Sequence, residues 1–375
     1  MEEKKDSLAL GCPNSVGVEK TRVNQERLDS KVKRVQNTNM TGQRYILHIA
    51  LVIILGSNYI WAIDPFSTIV GIGSSLISLR CKIEECCDDS WIVNNFTKLH
   101  LSFYDLFGQH IAADVVTNAL KAHLRTDIQP RKALTLSFHG KQGTGKTFVS
   151  ELIVDSMFFM GAKSSFIHFF MARKHFPLER EADVYKMQLV EWIRGNVSLC
   201  ERSVFVFDEV NKIPKGVLNA IKPFLDYHPI IDGVDYRKAI FIFLSNVGST
   251  EISNKLLEFW QNGTQREQLK LHHFENLIKL GAFNQDGGFH ENEAIESDLI
   301  DHYVPFLPLE KSHVTQCIIA EFKRRKMPIP STSIIEEVME DLTFGPEPYN
   351  LYSYTGCKRV SPKSAKVIQK IYDFD

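Results

Sequence analysis

From about residue 96 onward, short apolar runs rich in Phe, Ile and Val alternate with longer segments whose apolar positions recur at helical spacing. Four of the runs are predicted strands, at residues 134–139, 165–172, 203–210 and 239–245. Helices are predicted between them, at about residues 145–160, 182–198 and 215–227. Strands that alternate with helices in this way predict an α/β fold with a parallel sheet and crossover helices.

The first 62 residues have a different pattern. Residues 1–44 hold nine Lys or Arg and six Asp or Glu with little apolar periodicity, which predicts a disordered tail. Residues 45–62 then run for 18 residues without a charge, which favours a membrane-targeting segment over a buried core helix. A start at Met1 favours a retained signal anchor, and a start at Met40 favours a cleaved signal peptide.

Residues 63–95 are predicted to form a membrane-associated segment that also contains cysteines. The apolar stretch at 66–79 is too short and too rich in Gly and Ser to span a bilayer, so it is expected to lie in the interface plane or to form a re-entrant hairpin. The basic flank of the 45–62 segment places the tail in the cytosol and the rest of the chain across the membrane.

Composition excludes several classes of protein. Hydrophobic residues make up 44% of the 375 residues and charged residues 24%, which is typical of a globular chain of two or three domains. Lys and Arg total 44 and Asp and Glu total 45, so the formal net charge is −1. A chain without excess positive charge lacks the bulk attraction that most nucleic-acid-binding proteins have, and no nucleic-acid partner is expected.

If the chain beyond residue 62 lies in an oxidising lumen, its cysteines are expected to form disulfides. They are six in number: Cys81, Cys86, Cys87, Cys200, Cys317 and Cys357. A metal site built on the first three is disfavoured, because the paired C-x-x-C spacing of zinc sites is missing. Three sequons would allow glycosylation in the same compartment, at Asn95, Asn196 and Asn262.

A phosphate-binding motif follows the first predicted strand. Residues 140–147 fit G-x-x-x-x-G-K-[ST] between a strand and a helix. The glycines allow backbone N–H groups to face the phosphates of a nucleotide, and Lys146 adds a positive charge. Thr147 is expected to supply a hydroxyl ligand to Mg²⁺. The predicted nucleotide-binding residues are Gly140, Lys141, Gln142, Gly143, Thr144, Gly145, Lys146, Thr147 and Phe148.

The third predicted strand ends in an acid pair. Asp208 is expected to hold the hydrated Mg²⁺, and Glu209 is expected to polarise the attacking water. We expect the strand with this pair to lie directly beside the strand that precedes the phosphate loop. Asn246 ends the fourth strand and is either an orienting group for the water or a turn residue.

Two other nucleotide-dependent classes fit less well. A GTPase is disfavoured, because residues 211–214 place Pro where a guanine-reading N-K-x-D motif requires Asp. A kinase remains possible, although the sequence has no evident motif for binding a phosphate acceptor.

From about Cys81 to the C-terminus the chain resembles the torsins, AAA+ ATPases of the endoplasmic reticulum lumen and nuclear envelope. The segments that carry the resemblance are residues 105–110, 134–140, 192–198, 220–227, 241–246, 304–310 and 356–358. The resemblance implies a large α/β nucleotide-binding domain over residues 96–303 and a small helical lid domain over residues 304–375. It also implies that Asn246 is the sensor 1 residue and that Lys358 reaches the γ-phosphate of ATP from the lid as the sensor 2 cation.

The resemblance further implies a disulfide between Cys317 and Cys357, which would couple the redox state of the lumen to nucleotide sensing. It implies that Cys200 is bonded to one of Cys81, Cys86 and Cys87. Two features depart from the family. Thr147 stands where torsins usually have Asn, which puts the handling of the metal in doubt, and the tail before Met40 is unusually long.

Torsins lack an arginine that stabilises the charge on the transferred phosphate. The resemblance therefore implies a membrane-anchored activator of the lamina-associated-polypeptide type, which inserts that arginine from a lumenal AAA-like domain, and a homo- or hetero-oligomer. Arg202, Arg237 and Arg266 are candidates for an internal arginine finger, but each is expected to be a surface charge.

Three functions follow from these observations. The favoured one is a lumenal ATPase that acts as a chaperone or membrane-remodelling switch with an activator. The second is a binding protein gated by ATP, in which hydrolysis is dispensable. The third is a threading unfoldase with Phe176 in an aromatic pore loop, although a single Phe is more often a core residue.

Overall fold

The structure, a computed structural model, describes Cys81 and residues 84–284, 287–289 and 292–374, without the side chains of Glu296 and residues 371–374. The predicted tail, the targeting segment at 45–62 and the apolar stretch at 66–79 lie outside the described residues. Within the described ranges, no helix has the length and apolar character that crossing a membrane requires.

Five parallel strands form the main sheet, in the order β2-β3-β4-β1-β5. A separate antiparallel pair, β6 and β7, lies near the C-terminus. The strands are β1 Leu134–Gly140, β2 Ile167–Met171, β3 Val204–Asp208, β4 Ile240–Ser245, β5 His302–Phe306, β6 Phe344–Gly345 and β7 Tyr352–Ser353.

Helices cover both faces of the sheet and make up most of the C-terminal part. In the described residues they are α1 Phe96–Ser102, α2 His110–His123, α3 Lys146–Met157, α4 Ala172–His175, α5 Ala182–Leu199, α6 Lys222–Leu225, α7 Ser249–Gln261, α8 Glu275–Asn284, α9 Glu293–Glu296, α10 Lys311–Arg324, α11 Thr332–Glu340 and α12 Val360–Phe374. The segment 215–227, predicted as one helix, contains a 3₁₀ turn at Leu218–Ile221 followed by α6. Pro223 lacks a backbone N–H and therefore cannot continue a longer helix.

β4 lies between β1 and β3. Ile240 is paired with Leu134 of β1 on one side and with Val204 of β3 on the other. The prediction that the phosphate-loop strand and the acid-pair strand are direct neighbours is therefore wrong. β4 is buried at every position, as expected for a strand flanked on both edges and covered on both faces.

β5 was not predicted as a strand. It pairs with β1, with His139 opposite Pro305, and extends the sheet by one edge strand. The domain boundary predicted between residues 303 and 304 falls inside this strand, so the helical C-terminal part begins only after Phe306.

Two hydrophobic clusters pack against the two faces of the sheet because alternate residues of each strand point to opposite sides. Phe205 and Phe207 of β3 stack on Phe241 and Phe243 of β4, with ring centroids 5.1 and 5.2 Å apart. On the other face, a second cluster contains residues of α3 such as Ile153. A third cluster, which includes Val314 of α10, forms the core of the C-terminal part. This small helical unit, residues 307–374, is called the lid below.

Candidate functional site

The phosphate loop, residues 140–147, connects β1 to α3 at the carboxyl edge of the sheet. Gly143 and Gly145 have φ angles of +75° and +108°, which residues with a side chain rarely adopt. A Cβ atom at Gly143 would lie 2.0 Å from the carbonyl oxygen of Thr355, and one at Gly145 would lie 2.8 Å from Leu106 Cδ1. The loop therefore requires glycine here both for its conformation and for its close contacts. It leads directly into the N-terminus of a 12-residue helix, where free N–H groups and the helix dipole favour an anion.

The side chain of Lys146 lies between the start of this loop and Asn246. Its Nζ atom donates hydrogen bonds to the carbonyl oxygens of Gly140, 2.7 Å away, and Lys141, 2.9 Å away, and to Oδ1 of Asn246, 3.0 Å away. Burial lowers the pKa of Lys146 to about 8, and the nearby charge of Asp208 opposes this shift. The ammonium group is thus held beside the loop, in position to meet a phosphate.

The acid pair lies at the end of β3. Oδ1 of Asp208 accepts a hydrogen bond from the backbone N–H of Glu209 at 2.8 Å. Burial raises the pKa of the Asp208 carboxyl above its ordinary value. Glu209 has a φ angle of +55°, so the chain turns sharply where it leaves the strand. Asn246 directly follows the intervening strand β4, accepts a hydrogen bond from Lys146 and lines the same cavity as the acids.

One cavity of about 460 Å³ brings these groups together. Its lining includes Gln142, Gly143, Thr144, Gly145, Lys146, Thr147, Phe148, Asp208, Glu209, Asn246, Cys317, Cys357 and Lys358. Gly140 and Lys141 do not belong to this lining. Gly140 packs on Phe306, and the Lys141 ammonium lies over the ring of Tyr354, 5.5 Å from its centroid.

The lid closes one side of the cavity. The backbone N–H of Cys357 donates to the carbonyl oxygen of Gly143 at 3.0 Å. A disulfide joins Cys357, at the turn before α12, to Cys317 on α10. Lys358 follows directly and lines the cavity, so the cation implied as sensor 2 lies on the lid side of the phosphate loop.

Sequence reasoning missed several residues at the site. Asp105, Leu106, Phe107 and Leu309 also line the cavity and provide a mainly apolar wall. Gln109 is buried, and its Nε2 atom donates to the carbonyl oxygens of Leu307, at 2.8 Å, and Thr144, at 3.1 Å. All of the missed residues lie within the segments 105–110 and 304–310 that carry the family resemblance. That resemblance was the one feature of the sequence that could have indicated them.

The three candidate internal arginines lie away from the cavity. Arg266 is buried rather than on the surface, and it donates to the carbonyl oxygens of Gly108 and Pro308. Arg202 is partly buried and pairs with Asp89. Arg237 pairs with Asp235. The expectation that all three are surface charges is therefore wrong for Arg266, whereas Arg202 and Arg237 are partly buried.

Phe176 lies in the core, where its ring is 5.5 Å from that of Tyr185. It does not project from a loop as a pore aromatic would. Among the sequons, Asn95 and Asn262 are exposed, whereas Asn196 is partly buried and its Nδ2 atom donates to the carbonyl oxygen of Trp192 at 2.7 Å. Glycosylation at the three sites stays a prediction.

The remaining cysteines of the described region are paired. Cys81 is bonded to Cys86, and Cys87 is bonded to Cys200. The structure thus selects Cys87 from the three partners that the sequence left open for Cys200. Cys81, Cys86 and Asp88 lie close enough together to suggest a metal site, but both thiols are consumed by their disulfide.

The donor groups fit a magnesium nucleotide. The hydroxyl of Thr147 and the carboxylate of Asp208 are hard oxygen ligands of the kind Mg²⁺ prefers. The amides of the loop and the ammonium groups of Lys146 and Lys358 suit phosphate oxygens. The apolar wall formed by Leu106, Phe107 and Leu309 offers a surface for a base.

The parallel sheet, the phosphate loop and the helical lid together define the AAA+ fold. The structure of Hsp104 from S. cerevisiae in complex with ADP is similar, with a TM-score of 0.50 and 17% sequence identity, over 74% of this chain and 47% of that one. This likeness concerns the fold alone.

Comparison with other sequences gives the family. A family model described as Torsin matches residues 81–207, and one described as Torsin-1A, C-terminal domain, matches residues 309–365. A torsin-like protein of Caenorhabditis elegans is 40% identical over 296 residues, 78% of this chain and 83% of the relative. A torsin-like protein of Drosophila melanogaster is 39% identical over 292 residues, 77% of this chain and 86% of the relative. The chain belongs to the torsin family.

Proposed function

We propose that the protein binds MgATP in the 460 Å³ cavity and hydrolyses it to ADP and phosphate. The observation that carries this proposal is the convergence of a phosphate loop, an acid pair, Asn246 and Lys358 on one cavity. Hydrolysis requires a positioned water and stabilisation of the charge that develops on the transferred phosphate. The cavity offers residues for both.

Each residue has a role that follows from its position. The loop amides and Lys146 bind the phosphates, and Thr147 and Asp208 hold the magnesium ion. Glu209 takes a proton from the attacking water, and Asn246 orients that water. Lys358 adds positive charge from the lid side, where Cys357 is bonded to the loop. Thr147 keeps the ordinary hydroxyl ligand, so its departure from the family pattern is compatible with magnesium binding.

We further propose that turnover by the protein alone is slow. In the described region, Arg202, Arg237 and Arg266 are each held by other groups away from the cavity, which supports the need for an arginine from elsewhere. A membrane protein of the lamina-associated-polypeptide type, with a lumenal AAA-like domain, would supply it in a homo- or hetero-oligomeric assembly.

The proposed compartment is the lumen of the endoplasmic reticulum and the nuclear envelope. Three disulfides and the apolar segment at 45–62 support an oxidising compartment entered through a membrane. In that compartment the ATPase would act at the membrane surface as a chaperone or as a switch that remodels the nuclear envelope.

Phosphate release from the full chain, purified from an oxidising compartment, tests the proposal with and without a lumenal activator domain. We expect slow release alone and a large stimulation by the activator, with no release from Lys146→Ala under either condition. Fast hydrolysis by the protein alone would contradict the need for an activator. If calorimetry detects no MgATP binding by folded wild-type protein, the whole proposal is wrong.

A second candidate is a binding protein that ATP switches between two states, in which hydrolysis is dispensable. The direct hydrogen bond between the lid and the phosphate loop favours it, because nucleotide binding alone could move the lid. Glu209→Gln separates the two functions, since it removes the base and keeps the shape of the side chain. Normal function of this variant in cells would favour the second candidate.

A further inference from the structure

One buried arginine is bonded to both parts of the apolar wall of the proposed nucleotide cavity. The wall is made of residues 105–107 and of Leu309. Gly108 directly follows the first part, and Pro308 directly precedes the second. Arg266 donates to the carbonyl oxygen of Gly108, from Nε at 3.1 Å and from Nη2 at 2.7 Å, and to that of Pro308, from Nη1 at 2.9 Å. Two segments that are far apart in the sequence therefore meet on one side chain.

A guanidinium is suited to this position. Arg266 is only 8% exposed, and its Nη1 atom also donates to Oε1 of Glu310 at 3.1 Å. The side chain thus makes four hydrogen bonds and has five N–H donors. A planar fork of donors fixes the directions of several acceptors at once, whereas the ammonium group of a lysine is a point charge without that geometry.

A second buried polar side chain joins the same two segments. Oε1 of Gln109 accepts a hydrogen bond from the backbone N–H of Leu307 at 2.8 Å, and Nε2 donates to the carbonyl oxygen of Leu307 at 2.8 Å. Gly108 has a φ angle of +69° and packs against the ring of His313, from which a Cβ would lie 2.9 Å away. The relative position of the two parts of the wall is therefore set by polar contacts as well as by apolar packing.

We propose that Arg266 is a positioning residue for the base of the nucleotide. This inference rests on the proposed function. By holding the carbonyl groups of Gly108 and Pro308, Arg266 fixes residues 105–107 relative to Leu309, and a base requires both parts as its apolar surface. Van der Waals contact weakens steeply when one side of such a surface moves. Within the described residues Arg266 does not line the cavity, so its effect on binding passes through the wall.

Two other roles for Arg266 predict different results. Its partner Glu310 directly precedes α10, the first helix of the lid, and the lid also provides Lys358. If Arg266 acted through the lid, its loss would weaken the attraction of the site for phosphates. If it only stabilised the fold, its loss would weaken the binding of every ligand. Magnesium tripolyphosphate separates these roles from base positioning, because it has three linked phosphates and no base.

Calorimetry on the full chain measures the binding of MgATP and of magnesium tripolyphosphate by wild type and by Arg266→Lys. Lysine keeps the buried positive charge but does not reproduce the fork that bonds both carbonyl oxygens. We expect Kd for MgATP to rise at least about fivefold, the equivalent of one hydrogen bond, and Kd for tripolyphosphate to change less than about twofold. Arg237→Lys, at an arginine that pairs with Asp235 away from the cavity, is the matched control and should bind both ligands like wild type.

Gly108→Ala tests the same contact from the other side and keeps the inference testable if Arg266→Lys does not fold. The new methyl group would meet the ring of His313, so the Gly108 carbonyl must shift relative to Arg266. We expect the same selective loss of MgATP affinity. In the double variant with Arg266→Lys the loss should be smaller than the product of the two single losses, because both substitutions disturb one contact.

Equal weakening of both ligands in folded Arg266→Lys would overturn the inference in favour of a role through the lid or the fold as a whole. Unchanged MgATP affinity in either folded variant would overturn it too. If folded wild-type protein does not bind MgATP, the proposed function itself is refuted.

Discussion

The backbone N–H of Cys357 donates a hydrogen bond to the carbonyl oxygen of Gly143, so the lid contacts the phosphate loop through main-chain atoms. The lid and the loop backbones lie close together here, because a Cβ at Gly356 of the lid would lie 2.2 Å from the same carbonyl oxygen of Gly143. Glycine at both positions allows this contact. A change in the lid is therefore transmitted to the loop without an intervening side chain.

Substitution of Gly143 tests this contact. In Gly143→Ala the new methyl group would collide with the carbonyl of Thr355, so the lid must move away and the bond from Cys357 is lost. We expect MgATP affinity, measured by calorimetry, to fall at least about fivefold, the equivalent of one hydrogen bond.

Gly263 provides a matched control for this substitution. Its φ angle is +74°, almost equal to the +75° of Gly143, but a Cβ there would meet no atom within 4 Å. Gly263→Ala should lower the free energy of unfolding by about 1–2 kcal/mol through backbone strain and leave MgATP affinity unchanged. Equal loss of affinity in the two variants would show that backbone strain, and not the lid contact, is responsible.

The disulfide between Cys317 and Cys357 is expected to fix Lys358 relative to the phosphate loop. The double variant Cys317→Ser/Cys357→Ser should bind MgATP more weakly than the oxidised wild type, with an affinity close to that of the reduced wild type. It should also lose about 2–4 kcal/mol of unfolding free energy, because a closed loop is opened.

A second disulfide serves as the control for this prediction. Cys81 and Cys86 are bonded to each other outside the nucleotide cavity, so Cys81→Ser/Cys86→Ser should bind MgATP like wild type. Wild-type affinity in the lid double variant would refute the coupling between the disulfide and the nucleotide.

The pKa of Lys146 predicts how nucleotide binding depends on pH. Because burial lowers this pKa to about 8, the ammonium group is mostly present at pH 7 and mostly lost at pH 9 in the nucleotide-free protein. Only the charged form attracts phosphate, so MgATP affinity should fall by up to about tenfold between these values. Lys146→Arg keeps its charge over the range and should bind with little pH dependence. A steep decline in that variant would assign the titration to another group.

Local chemistry was enough to predict the phosphate loop and the acid pair, because each is a short motif at the end of an apolar strand. Local chemistry was not enough to predict the order of the strands, since nothing within a single strand specifies its neighbours. The position of β4 between β1 and β3 was therefore missed. β5 was missed because Pro305 interrupts its strand pattern. An edge strand tolerates proline, and β5 is an edge strand.

The remaining site residues depend on tertiary contacts. Gln109 has no motif of its own, and its importance appears only when the structure places its amide between Thr144 and Leu307. Arg173 was missed for a similar reason, because Glu209, which accepts a hydrogen bond from its Nε atom, lies 36 residues further along the sequence. Lys358 could be named through the family resemblance but not from spacing, since the lid reaches the loop only in the folded protein.

Buried histidines predict that the protein loses stability in mild acid. Burial lowers the pKa of His123, His139 and His168 to about 4 each, below the ordinary value of 6.5. The unfolded chain therefore binds protons as pH falls through 6.5, whereas the folded protein does not until pH approaches 4. The stability that these neutral rings contribute is complete above pH 6.5 and is lost below it, at up to about 3 kcal/mol per ring near pH 4.

Urea unfolding between pH 7 and 4.5 measures this loss. Glu321 does not obscure the loss of stability caused by the histidines. The hydrogen bond that Arg324 donates to this carboxylate lowers the pKa of Glu321 to about 2, so the loss of stability that comes from protonating Glu321 falls mainly below the measured pH range. His139 is the ring to replace, since it is fully buried on β1. Its Nδ1 atom is hydrogen-bonded to the carbonyl oxygen of Val247, at 3.1 Å, and its Nε2 atom to the hydroxyl of Ser137, at 2.7 Å. His139→Gln should lower the unfolding free energy at pH 7 and make its decline less steep, because one of the three strongest histidine titrations is removed. A decline as steep as that of the wild type would mean that His139 does not contribute to the acid sensitivity.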